Sequence, residues 1–74
     1  MKLVTVDSSM IHAVGFDEQT SELEVVFASG KIYHYTNVPK AVYKQLLSTE
    51  SKGSFMKGCV IGMYPEYKVS RRRP

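Results

Sequence analysis

Three groups of residues in this 74-residue chain carry side chains with reactive or binding chemistry. Asp7, Ser8, Ser9 and His12 place an acid, two hydroxyls and an imidazole close together, the side-chain types of a hydrolase triad. No nucleophile elbow surrounds the serines, and His12 falls in an apolar run. Asp7 and the serines are therefore expected to bond a turn backbone. His12, His34 and Cys59 are metal-ligand types, but their spacing matches no zinc pattern, so no metal site is expected. Cys59 reads as a small buried hydrophobe. The third group joins Tyr33 and Tyr35 to the cations Lys52, Lys57, Lys68, Arg71, Arg72 and Arg73. Aromatic side chains and basic groups together are what an acidic partner meets, although a solvated face has the same composition. Gly53, Gly58 and Gly62 form no phosphate-cradling loop. No cofactor is expected.

The elements that position these residues must be few. The chain has room for one small domain, and a core of that size supplies only a few kcal/mol, so loops should be short. The hydrophobic fraction of 43% is ordinary for a globular chain. No apolar run approaches the length of a membrane span, and "MKLVTVDSS" is too short and polar for a signal peptide. With one cysteine, the expected setting is a reducing cytoplasm. Charge is unevenly spread. Residues 1–30 carry Lys2 against Asp7, Asp17, Glu18, Glu22 and Glu24, a net of −4. Residues 31–74 carry six Lys and three Arg against Glu50 and Glu66, a net of +7, which together give the overall +3.

Period-2 alternation marks the first half as strands. Leu3–Val6 suits an edge strand, and Met10–Phe16 is apolar on both faces. After the polar turn "DEQTS", Glu22–Ala28 alternates around Leu23, Val25 and Phe27, and Lys31–Tyr35 returns from a turn at Ser29-Gly30. The period then changes. Pro39 suits the first turn of a helix, and Val42, Tyr43, Leu46 and Leu47 follow at helical spacing, predicting a helix over Pro39–Ser48. Ser51 is a candidate cap for a second helix, with Phe55, Met56, Cys59, Val60 and Met63 on one stripe. Three glycines weaken that helix by roughly 1 kcal/mol each, and Pro65 ends it. Strands followed by helices predict an α+β fold, a small antiparallel sheet of three to four strands with one or two short helices on one face. The domain is expected to span residues 1–65, with 66–74 a basic, disordered tail.

Where the tyrosines point depends on the hairpin loop. A two-residue loop at Ser29-Gly30 pairs Phe27 with Ile32 and Val25 with His34, turning Tyr33 and Tyr35 away from the core. A three-residue loop, Ala28-Ser29-Gly30, pairs Val25 with Tyr33 and Leu23 with Tyr35, and sets Glu24 against His34 and Val26 against Ile32 on the outer face. A slip of one residue exchanges the faces. Two-residue loops favour Asn-Gly or Asp-Gly, whereas a type I turn followed by a left-handed glycine suits Ala-Ser-Gly. Glu24 opposite His34 is also a favourable cross-strand pair. The longer loop is the better fit, with Leu23, Val25, Phe27, Tyr33, Tyr35, Val42, Leu46 and Phe55 as the core.

An ordered set of short motifs now stands along the chain: Val6-Asp7-Ser8-Ser9, Gly15-Phe16-Asp17, Leu23-x-Val25-x-Phe27-x-Ser29-Gly30, Tyr33-x-Tyr35, Val38-Pro39, Val42-Tyr43, Leu46-Leu47, Ser51-Lys52-Gly53 and Tyr64-Pro65. In this order the set resembles the KTSC domain, named for its occurrence at the C-terminus of some lysyl-tRNA synthetases and found also as a stand-alone bacterial or phage protein. The resemblance covers about residues 6–65. It implies a small α+β unit, and RNA binding is the function usually suggested for the family. The sequence departs from the family pattern after Gly53. There the family continues with aromatic, Asn and basic residues around an Ile, whereas "SFMKGCVIG" keeps Lys57 but sets Gly58 and Ile61 where basic side chains are expected. Fewer cations weaken a phosphate-binding surface. Exposed Met and Ile suit a protein interface better.

An enzyme is not expected. A monomeric, stand-alone binding module is, acting in gene expression. In size the chain is similar to small phage-encoded regulators of host RNA polymerase, among them a Xanthomonas phage inhibitor and antiterminator. The expected partner is bacterial RNA polymerase or another protein of gene expression. RNA binding of the synthetase C-terminal type is the alternative. No membrane partner is expected. Binding residues are expected on the outer sheet face, at Glu24, Val26, Ile32 and His34, and in the Lys52–Met63 segment, at Lys52, Met56, Lys57, Ile61 and Met63. Arg71, Arg72 and Arg73 would add weak, salt-sensitive affinity for nucleic acid.

Overall fold

Alternating side chains organise the sheet, and its register decides which of them meet the helices. The computed structural model describes residues 3–69. Strands β1 (Leu3–Thr5), β2 (Ile11–Asp17), β3 (Glu22–Phe27), β4 (Ile32–Tyr35) and β5 (Glu66–Val69) form one antiparallel sheet in the order β1-β2-β3-β4-β5. Helix α1 (Lys40–Ser48) follows β4. Helix α2 (Lys52–Phe55) runs directly into a π-helical turn, Met56–Val60, before the chain returns to the sheet. The fold is α+β as expected, with five strands where three to four were predicted. The additional strand, β5, lies in the stretch assigned to a disordered tail. Glu66–Val69 pairs with β4 because its backbone reaches the edge that β4 leaves open. The remainder of that tail, including Arg71, Arg72 and Arg73, lies outside the described residues.

The β3–β4 connection takes the longer loop. Phe27 N–H donates to Lys31 O at 2.8 Å, Gly30 N–H donates to Phe27 O at 2.9 Å, and Gly30 sits at φ 96°. A positive φ there costs glycine little, and any other residue would be strained. The resulting pairs are Leu23↔Tyr35, Glu24↔His34, Val25↔Tyr33 and Val26↔Ile32. Tyr35 is therefore in the core at 1% exposure. Tyr33 packs beside it, half-buried, with its ring edge-on to Phe27.

Strand β2 contains an irregularity. Ile11 pairs with Phe27 and Ala13 with Val26, so His12 is an extra residue opposite none. The bulge changes the alternation, and Ile11 and Val14 both become fully buried although three positions apart. Ser8 Oγ accepts from the backbone N–H groups of Met10 and Ile11 just before it, the turn-bonding role expected of a serine here.

On the helix side, Leu46 of α1 and Met56 and Val60 of the π-helical turn close over Val14, Leu23, Val25 and Tyr35. Tyr43 stacks on Phe16 at 5.3 Å. Each large apolar side chain fully withdrawn from water contributes roughly 1.5–3 kcal/mol. The helix begins at Lys40, one residue after the predicted start, and Pro39 occupies its N-cap. Ser51 sits at the N-cap of α2, but its side chain makes no capping hydrogen bond.

Three of the five residues of the predicted apolar stripe are in place, with Phe55 partly buried against the core. Met56 and Val60 are buried, while Cys59 and Met63 are exposed. The reason is the wide turn. Ile61 N–H reaches back to Met56 O, five residues away, which rotates Cys59 out of the stripe that ordinary helical spacing would give. Cys59 is thus a surface thiol and not a buried hydrophobe.

Candidate interaction surface

The helices cover one face of the sheet, and the other is left to side chains alone. On this outer face β3 presents Glu22, Glu24 and Val26, β4 presents Ile32 and His34, and β5 presents Tyr67 and Val69. Small residues of β2, Ala13 and Gly15, lie opposite Val26 and Glu24 and let the neighbouring side chains lean across.

A hydrogen-bonded chain crosses three strands here. His34 Nε2 stands 3.0 Å from Glu24 Oε1, and His34 Nδ1 stands 3.2 Å from Tyr67 Oη. Tyr67 O–H donates to Glu22 Oε2 at 2.9 Å. That bond, together with burial and the charge of the Glu22 carboxylate, pushes the Tyr67 hydroxyl above its usual value. Glu24 is only 3% exposed. A carboxylate removed from water without a partner would cost several kcal/mol, and the imidazole beside it offsets that cost. The network ties the new strand β5 to β3 across β4. It therefore supports the sheet as well as shaping its surface.

The structure separates the residues that the sequence nominated. Glu24, Val26, Ile32 and His34 stand together on the outer face, with Val26 and Ile32 half-buried. The Lys52–Met63 segment lies on the opposite side of the sheet, with the helices. Two of its five nominated residues serve the fold. Lys52 Nζ donates to Thr49 O at 2.7 Å and approaches Leu47 O at 3.4 Å, holding the last carbonyls of α1. Met56 is fully buried and cannot contact a partner. Lys57, Ile61 and Met63 are exposed. Sequence reasoning missed Glu22 and Tyr67. The alternation of Glu66-Tyr67-Lys68-Val69 is a strand signal, but four residues after a proline are too few to stand out.

Among the described residues no three His, Cys, Asp or Glu side chains are placed to hold a metal ion. No helix there is long and apolar enough to cross a membrane.

An antiparallel five-stranded meander with helices on one face and an open, hydrogen-bonded opposite face defines a small α+β domain. The KTSC domain family model matches residues 7–64, and the chain belongs to that family. Its fold is similar to that of a KTSC domain protein from Yersinia pestis seen in a crystal structure. The TM-score is 0.91 at 30% identity, covering 93% of this chain and 97% of that one. Two bacterial relatives are 42% identical. One, an uncharacterized protein of Stutzerimonas stutzeri, matches over 53 residues, 72% of this chain and 75% of its own length. The other, from Tsukamurella paurometabola, matches over 55 residues, 74% of this chain and 82% of its own.

Proposed function

We propose that this chain is a non-enzymatic binding module of gene expression that takes a protein partner on the outer face of its sheet. Bacterial RNA polymerase is the proposed partner, with inhibition or antitermination as the effect. One observation carries the choice of a protein. Among the described strand residues, this face combines Val26, Ile32 and the aromatic Tyr67 with the carboxylates of Asp17, Glu22 and Glu24, and holds no Lys or Arg. An apolar end beside an acidic, aromatic end is a composition that suits a protein interface. Carboxylates repel phosphate, and nucleic-acid affinity rests on cations that neutralise it. The outer face is preferred to the Lys52–Met63 segment because its polar groups are held in place by one another across three strands.

The test is capture from bacterial lysate, with and without nuclease, followed by chemical-shift perturbation with purified polymerase fragments. Nuclease-resistant capture of polymerase and shifts at Val26, Ile32 and Tyr67 are expected. Capture lost on nuclease treatment would favour RNA binding of the synthetase C-terminal type. Failure to bind any polymerase fragment would remove polymerase as the partner.

A further inference from the structure

One motif of the sequence, Ser8 with His12, has no part in that face, yet the fold gathers both around a cavity. The space, about 320 Å3, opens at the end of the sheet where β1, β2 and the β3–β4 loop meet, lined by Val6, Ser8, Ile11, His12, Val26 and Phe27 among others. Two features build it. The bulge in β2 makes His12 an extra residue and leaves its side chain exposed at the cavity. Ser8 Oγ accepts from Met10 N–H at 3.2 Å and Ile11 N–H at 3.3 Å. Those two donors use both lone pairs of the hydroxyl, so Ser8 can engage a ligand only by donating its proton.

We infer that this cavity is an anchor site for one apolar side chain of a protein partner, with the backbone carbonyl next to that side chain accepting from the Ser8 hydroxyl. The volume is at the small end of ligand pockets, which run from about 300 to 1,000 Å3. Val6, Val26 and Phe27 provide the accessible apolar walls, with Ile11 buried behind them and His12 at the exposed rim, and the donor at Ser8 selects an acceptor. Val26 belongs to this wall and to the outer sheet face at once, so a partner lying on the face reaches the cavity without a gap. A partner's anchor residue filling a pocket is the usual centre of an interface. The identity of the occupant as a protein side chain rests on the reading proposed above. The cavity's preference for an apolar group with an adjacent acceptor does not.

The experiment is a methyl and amide NMR titration of the full chain with N-acetyl methylamides of leucine, phenylalanine and glycine. The leucine and phenylalanine probes are expected to give saturable, millimolar shifts at Val6, Ile11 and Val26, and the glycine probe none. Ser8→Ala should weaken binding about fivefold, the value of one hydrogen bond of ~1 kcal/mol. Because Ser8→Ala also strips two backbone donors, Ala28→Leu is the second variant. Ala28 also lines the cavity, from the exposed β3–β4 loop, so the larger side chain narrows it and should abolish the shifts while spectra of the helices stay unchanged. Equal responses to all three probes, or no saturable response to any, would overturn the site. Polymerase capture by Ala28→Leu at the level of the unaltered chain would show that the cavity is no anchor, and would leave the binding-module reading intact.

Discussion

The outer sheet face and the Lys52–Met63 segment both expose apolar groups beside charge, and they are built in opposite ways. On the sheet, Glu24, His34, Tyr67 and Glu22 are held by one another across three strands. In the segment, Ile61 and Met63 stand at 37% and 66% exposure around Gly62 at φ 84°, after a π-helical turn. A surface held by side-chain hydrogen bonds is ordered before any partner arrives, so binding there loses little conformational freedom. Side chains beside a left-handed glycine carry no such restraint. The lesson is that apolar exposure alone does not rank two surfaces. What anchors the neighbouring polar groups does.

The contrast is sharpest inside the segment itself. Met56→Ala should destabilise the fold by about 2–5 kcal/mol, as buried methionine truncations do, measured by urea unfolding. A small loss would mean that the segment is not docked in the core. Glu24→Ala should cost about 1–3 kcal/mol, because it removes the carboxylate beside a half-buried imidazole. If that variant matched the parent in unfolding midpoint, the outer face would not be prearranged as described. Tyr67→Phe should have a smaller effect in the same direction, read as faster amide hydrogen exchange in β5.

Alkaline pH probes the inner face instead. Burial foremost, then the neighbouring Glu66 carboxylate, push the Tyr35 hydroxyl well above its usual value. Below pH about 10 neither folded nor unfolded chain ionises this group, and its full contribution to stability is present. Above that pH the unfolded chain ionises first, so stability falls as pH rises. Tyr35→Phe should flatten that fall, compared by unfolding midpoints on either side of pH 10. An unchanged slope would assign it elsewhere. Least affected should be Ile61→Ser and Met63→Ser, within about 0.5 kcal/mol of the parent. A larger loss in either would give that residue a structural role that its exposure does not suggest.

Much of this arrangement is legible in the sequence where the determinants are local. Ala28-Ser29-Gly30 specifies its loop, the loop specifies the register, and the register sends Tyr35 inward and Glu24 to His34. What escapes is non-local or depends on a change of period. Strand β5 is too short to declare itself, and it forms only because β4 offers an open edge. With β5 unrecognised, Tyr67 and its bond to Glu22 are invisible, so half of the outer network is missing from the expectation. The π-helical turn breaks the 3.6-residue rhythm, and so a stripe drawn through Cys59 and Met63 fails while Met56 and Val60 hold. Lys52 was nominated as a contact because its charge is readable. Its two carbonyl acceptors on α1 are a property of the helix–helix turn.

The place of β5 also has a kinetic consequence. The four earlier strands pair with their neighbours in sequence, through short turns that close quickly. Pairing Tyr35 with Glu66 instead closes a loop of about 30 residues holding both helices, and longer loops are entropically slower to close. Docking of β5 is accordingly expected to follow formation of the meander, which leaves the edge of β4 bare in the interval. In that interval the bare edge offers any passing extended segment the position its own last strand will later occupy.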